Sequence, residues 1–99
     1  MSANEWEFSG EPWWDDAHQA MKFILEKSSM YHTCAISQVV LNDYFCTEDT
    51  KDAAVQNYHT HSDDVRSLAI RLIQDGLADG EGVFFITSDI CRTHLHMNI

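Results

Sequence analysis

The chain has 99 residues, 44% of them hydrophobic and 11% aromatic, and its 16 Asp and Glu stand against 6 Lys and Arg for a formal net charge of −10 with histidine neutral. The apolar content argues against disorder, and the charge disfavours direct binding to DNA or RNA, whose phosphates are held by Lys and Arg, and to anionic lipid. The length suits one domain and exceeds the roughly 70–80 residues below which disulfide or metal staples are usually needed.

Residues 1–14 read as an acidic, aromatic arm without clear periodicity. They hold Glu5, Glu7 and Glu11 together with Trp6, Trp13 and Trp14, and Asp15 and Asp16 follow at once; no Lys or Arg occurs before Lys22. Two readings stay open. Tryptophan among carboxylates is a hot-spot composition for a basic, partly apolar partner. Alternatively the arm packs back and two of the three tryptophans complete a small core.

A core is expected over residues 15–90. Met21, Phe23 and Leu25 alternate, and the polar stretch from Glu26 to Ser29 separates them from Tyr31 to Ile36, which predicts a hairpin over about 20–26 and 30–36. A helix over 15–27 competes, since Ala17, Ala20, Met21 and Ile24 also share a helical face. Ser37 is a good N-cap for a short helix with the stripe Val40, Leu41, Tyr44 and Phe45, and Ile36 can fold over Leu41 as a staple. Thr47 is the expected cap of the next helix, with Glu48 and Asp49 at its positive end.

Ala54, Tyr58, Val65, Leu68, Ala69, Leu72 and Ile73 then keep helical spacing. One helix over 48–75 would run ~42 Å, so a break near His61 and Ser62 is expected, with Ser62 capping a second helix that Gly76 stops. Asp79-Gly80-Glu81-Gly82 reads as a turn, and Val83 to Thr87 as a strand buried on both faces. Residues 91–99 give no clear signal. The fold class is therefore α+β: a small antiparallel sheet, made of the N-terminal hairpin and a C-terminal strand, packed against two or three helices.

The order Phe23, then Cys34-Ala35-Ile36-Ser37, then Leu41 and Phe45, with Tyr58, Val65, Ala69 and Ile73 after it and Val83 to Asp89 at the close, resembles a small bacterial family known as domain of unknown function 1488. The resemblance covers about residues 13–90 and rests mainly on core and cap residues. Tyr58-His59-Thr60-His61 departs from the more basic Phe-Arg pattern of that family. The resemblance implies a compact α+β domain; it implies no known activity and brings no catalytic residue.

Three acidic clusters dominate the rest. The first is the arm. The second is Asp43, Glu48, Asp49 and Asp52, relieved only by Lys51; the third is Asp75, Asp79, Glu81 and Asp89, with no basic residue between Arg71 and Arg92. Asp63 and Arg66, three apart, suit a helical ion pair. The candidate partner-binding residues are Glu5, Glu7, Glu11, Asp15, Asp16, Glu48, Asp49, Asp52, Asp75, Asp79 and Glu81, with Trp6, Trp13 and Trp14 as aromatic anchors.

Bond-making chemistry finds little support. Cys91-x-x-His94-x-His96 holds zinc-type ligands, but a structural site usually shows two paired motifs and only one is present, so no metal and no cofactor are expected. His59 and His61 point apart on a helix. Cys34 and Cys46 sit in apolar settings typical of core thiols, and no local signature joins a cysteine to a histidine. The adjacent pairs Asp15-Asp16 and Asp63-Asp64 do not converge as an acid–base couple. The expectation is a non-enzyme.

Three widely spaced cysteines and the lack of a signal peptide suit a reducing cytoplasm, and the apolar runs are too short for a membrane role. The expected function is a small acidic protein-binding module, an inhibitor or regulator that docks on a basic protein, possible partners including a nucleic-acid-binding complex. Its sharpest form is a nucleic-acid mimic, alike in size and charge to phage-encoded anti-defence proteins of the anti-CRISPR type. The alternative is a regulatory or assembly module acting through an apolar surface, with a His/Cys metal variant. The chain would be a monomer, or a homodimer through the Val83–Ile86 edge or the long helix.

Overall fold

A two-residue turn organises the centre of the molecule, whose computed structural model describes residues 6–76, 78–80 and 82–87. Lys27 faces Met30 across the hairpin, and Ser28 and Ser29 between them both take positive φ, 53° and 65°. That is the backbone whose twist matches two paired strands. The strands it joins are labelled β3 (Ala20–Lys27) and β4 (Met30–Ser37) and pair along their whole length. The hairpin thus forms as expected, and the competing helix does not.

The arm enters the sheet from the other side of β3. β1 (Glu7–Phe8) sets Glu7 opposite Glu26 and Phe8 opposite Leu25. β2 (Trp13–Asp15) sets Trp13 opposite Lys22, Trp14 opposite Met21 and Asp15 opposite Ala20. The two form one interrupted edge strand. Gly10 at φ 74° and Pro12, which has no N–H to donate, account for the interruption.

β5 (Phe84–Ile86) lies against the free side of β4, in the order β1-β3-β4-β5 with β2 also on β3. Cys34 faces Phe84, Ala35 faces Phe85 and Ile36 faces Ile86, and this pairing is parallel. The sheet is therefore mixed rather than wholly antiparallel. The helical connection between β4 and β5 returns the chain to the end from which β4 started, so the new strand runs the same way. β5 is an edge strand, and of its residues only Ile86 is fully buried; burial on both faces is not realised.

Three helices make the crossover: α1 (Gln38–Tyr44), α2 (Lys51–Thr60) and α3 (Ser62–Gln74). Ser37 caps α1, its Oγ accepting from the Val40 N–H at 3.2 Å. The cap of α2 is Thr50, three residues later than expected, its Oγ1 accepting from the Ala53 N–H at 3.1 Å. Thr47 is occupied elsewhere: its hydroxyl donates to Asn42 Oδ1 at 3.1 Å and accepts from Asn57 Nδ2 at 2.8 Å. Asn42 Nδ2 donates in turn to the Thr50 carbonyl at 2.9 Å. This polar knot, centred on the buried Asn42 and Asn57, fastens the α1–α2 loop to α2.

The long helical stretch breaks where expected, but the residue before α3 is His61, whose side chain makes no capping bond, and Ser62 is already helical. The His61 ring stacks on Phe45 with 3.9 Å between centroids, which fixes the break. Gly76, at φ 69°, follows Asp75 and ends α3. The helices share one core with Trp6, Met21, Phe23, Leu25, Cys34, Ile36 and Ile86, contributing Leu41, Tyr58, Val65, Leu68 and Leu72 among others. No helix among the described residues is long and apolar enough to cross a membrane.

Candidate functional site

Strand alternation assigns every second residue of the sheet to one side. Phe8, Trp14, Met21, Phe23, Leu25, Cys34, Ile36, Phe84 and Ile86 face the helices and belong to the core or pack against it. The residues between them face the opposite way. From the register, that second face carries the row Trp13–Lys22–Ala35–Phe85, then Ile24 beside Thr33, then Glu7–Glu26–Tyr31. Trp13, Ile24, Tyr31 and Phe85 take no part in the helix-packed core.

The three tryptophans have separate fates. Trp6 is 5% exposed and lies in the core, with its ring 5.6 Å from His32 and the Lys27 ammonium 5.1 Å from its centroid. Trp14 is half-buried against the core, and Lys51 stands 5.5 Å from its ring. Trp13, on the second face, is 42% exposed, and Tyr31 on the same face is 62% exposed. Two tryptophans complete the core and one stays outside.

Charge borders this apolar strip along the strand direction. At one end Glu7 and Glu26 are direct cross-strand neighbours, an arrangement that is destabilising for like charges. Neither takes part in an ion pair among the described residues. At the other end Asp15 accepts from Lys22 Nζ at 2.9 Å, bonds His18 Nδ1 at 2.6 Å and receives the Ala17 N–H at 3.0 Å. The Lys22 ammonium, and after it His18, hold the Asp15 carboxyl well below the usual carboxylate range. Asp16 beside it is exposed, and the His18 ring lies 6.4 Å from Phe85.

The second acidic cluster gathers near that same end. Gln38 begins α1 with its N–H on the Gln19 carbonyl, and its side-chain amide donates to Asp49 Oδ1 at 3.0 Å. Lys51, on the ring of Trp14, draws the start of α2 with Asp52 toward β2. Val39, Asn42, Asp43, Thr47 and Asp49 line a shallow cavity of about 170 Å³ there. Glu11 and Glu48 are exposed.

In the third cluster, Asp75 pairs with Arg71 at 3.2 Å and Asp79 accepts the Val83 N–H at 2.9 Å, so both are tied to local structure. Asp63 pairs with Arg66 at 3.2 Å, as its spacing suggests. Glu5, Glu81, Cys91, His94 and His96 lie outside the described residues, as does Asp89.

The two described thiols differ. Cys34 is buried, its Sγ donates to the His32 carbonyl at 3.7 Å, and burial pushes the thiol up to about 12, which leaves it no thiolate at neutral pH. Burial likewise raises the Tyr58 phenol, with Cys34 adding to the effect. Cys46 is exposed at φ 59° after α1, not in the core position its sequence neighbours suggest. No group of three or more metal-type side chains converges among the described residues.

Ile24, Glu26, Tyr31 and Phe85 are absent from the sequence-derived set of binding residues. The signal for the β3 pair was the alternation itself, since whatever lies between Phe23 and Leu25 must face away from them. Phe85 carried no such signal, because an all-apolar strand does not disclose which residue faces out.

Residues 7–86 match the family model described as Protein of unknown function (DUF1488). A crystal structure of a protein of unknown function from the same family, from Shewanella loihica PV-4, superposes with a TM-score of 0.73 at 22% sequence identity, covering 83% of this chain and 91% of that one. No curated protein matches the chain.

Proposed function

The chain belongs to the DUF1488 family, and from that premise we propose that it is a protein-binding module which docks the sheet face opposite its three described helices on a basic, partly apolar protein surface, making and breaking no bond. The observation that carries this reading is the coexistence on one face of Trp13, Ile24, Tyr31 and Phe85 with the cross-strand acids Glu7 and Glu26. Sheets in two-layer domains bury both sides or keep one side polar. A side that is aromatic and aliphatic in its middle and anionic at its borders suits a partner with the reciprocal pattern. The net charge of −10 adds long-range attraction for a cationic partner and repulsion for nucleic acid.

The partner class is a basic protein, nucleic-acid-binding proteins included. Strict mimicry of a phosphate backbone asks for an unbroken anionic row, whereas this face separates its acids with Trp13, Ile24 and Phe85. Docking on a mixed basic and apolar surface is the better fit.

The test is capture of proteins on the immobilised chain with salt-gradient elution, run beside the double variant Trp13→Ala/Phe85→Ala. The reading expects retained basic proteins that elute as salt rises and are lost from the variant. Retention indifferent to both salt and the variant contradicts it. Light scattering across the same salt range separates the assembly alternative, which expects a salt-indifferent dimer.

A further inference from the structure

We infer that the shallow cavity formed by α1 and the α1–α2 loop receives one arginine side chain of a basic partner, its guanidinium on Asp43 and Asp49 and its methylene stem against Val39. The inference rests on the docking reading above only in taking the partner to be a basic protein. It adds a second, smaller contact, built on a helix and a loop rather than on the sheet.

Size comes first. The cavity has a volume of about 170 Å³ and is lined by Val39, Asn42, Asp43, Thr47 and Asp49. Pockets that hold a cofactor or a drug-sized ligand run to roughly 300–1,000 Å³, so this one has room for a single side chain. Its shape is set in advance. Asn42 is 2% exposed; its amide donates to the Thr50 carbonyl, and its oxygen accepts from Thr47 and Asn57. Thr47 is tied to Asn57 as well. Two lining residues thus belong to the polar knot, and walls held by satisfied hydrogen bonds need little ordering when a ligand enters.

Charge selects a cation. Asp49 Oδ1 accepts from the Gln38 amide at 3.0 Å, which orients the carboxylate and leaves further lone pairs for a donor. Neither Asp43 nor Asp49 takes part in an ion pair among the described residues. Between Lys27 and Arg66 the sequence has one basic residue, Lys51, and its ammonium stands 5.5 Å from the Trp14 ring. Both carboxylates therefore attract positive charge from outside the chain.

The apolar wall selects which cation. Val39 is 61% exposed, although Val40 and Leu41 beside it are buried. A guanidinium offers five N–H donors in a flat fork that matches carboxylates, and its weak hydration lets it lie on an apolar surface. A lysine ammonium is compact and strongly hydrated, and it answers the carboxylates without using the wall. A hard metal ion asks for about six or more oxygen ligands, and no group of three or more metal-type side chains converges among the described residues.

The test is an NMR titration of the intact, isotope-labelled chain at fixed ionic strength. The probes are acetyl-arginine amide, acetyl-lysine amide and the neutral isostere acetyl-citrulline amide. The arginine probe is expected to shift the backbone amides of Val39, Asp43, Thr47 and Asp49 saturably. The lysine probe should bind at least about threefold more weakly, and citrulline should leave these amides unmoved. Asp43→Asn/Asp49→Asn should weaken arginine binding at least about tenfold, whereas Asp63→Asn/Asp64→Asn, which removes the same charge from α3, should leave it unchanged; the spectrum of each variant reports its folding. Equal affinity for lysine overturns the guanidinium. Equal shifts with citrulline, equal losses from the two variants, or no shift of these amides with arginine overturn the site. The two readings fail separately. Saturable arginine binding without salt-eluted capture of basic proteins keeps the site and overturns the docking reading. Capture without any response of the cavity amides overturns the site and keeps the docking reading.

Discussion

Phe23 and Ile24 are neighbours on β3 and stand on opposite sides of one sheet. Phe23 is fully buried and edges up to Phe8 and Tyr58, with ring centroids 5.8 and 5.5 Å away. Ile24 shares its face with Thr33, Glu26 and Lys22, and no helical residue joins it in the core. The covered face supplies stability through apolar burial. The opposite face keeps comparable residue types outside that core, with Trp13 and Tyr31 exposed and Ile24 and Phe85 half-buried. The difference teaches that the helices cover one side of the sheet in folding, and the proposed docking falls to the other.

The largest expected effect contrasts those sides directly. Phe23→Ala should lower unfolding free energy by about 3–5 kcal/mol, whereas Phe85→Ala should cost roughly 1–2 kcal/mol. Denaturant melts of both variants measure this, and equal losses would mean that the second face is core after all. Next, Asn57→Ala removes a buried amide that donates to buried Asn42 and to Thr47 and is expected to cost about 1–3 kcal/mol. That places the α1–α2 loop with the stabilising side of the molecule.

A smaller effect has the opposite sign. Glu7→Gln removes one of two opposed carboxylates, so the free protein should gain a few tenths of a kcal/mol while partner binding weakens. Loss of both stability and binding would show that Glu7 has a structural partner. The last effect concerns pH. The folded carboxyl of Asp15 titrates below its unfolded value, so its contribution is complete above the unfolded carboxylate range of ~3.9 and is lost as pH falls toward the folded value. The stability advantage of the native chain over Asp15→Asn should therefore shrink on acidification below about pH 4. An advantage unchanged in acid melts would contradict the Lys22 and His18 contacts.

Much of the framework was legible because local chemistry decided it. The polar stretch between two alternating runs gave the hairpin, Ser37 gave the start of α1, and Gly76 gave the end of α3. The later cap was misread because Thr47 and Thr50 are equally good caps in sequence, and only the partners Asn42 and Asn57 draw Thr47 away. The parallel sense of β5 was not legible, since it depends on where the crossover returns the chain. The same limit hid the candidate site. That Trp6 and Trp14 turn inward and Trp13 outward follows from β1 and β2 pairing with β3, a long-range register that the irregular arm does not announce.

The most direct test of the central claim compares two charge reversals of equal size on immobilised protein. Glu7→Lys/Glu26→Lys changes the sheet face opposite the helices, and Asp63→Lys/Asp64→Lys changes the exposed first turn of α3 by the same net charge; circular dichroism confirms that both fold. The account predicts that the first pair abolishes retention of basic proteins in a salt gradient while the second only shifts elution modestly. Equal loss from both pairs would contradict it, because net charge alone, and not this face, would then govern binding.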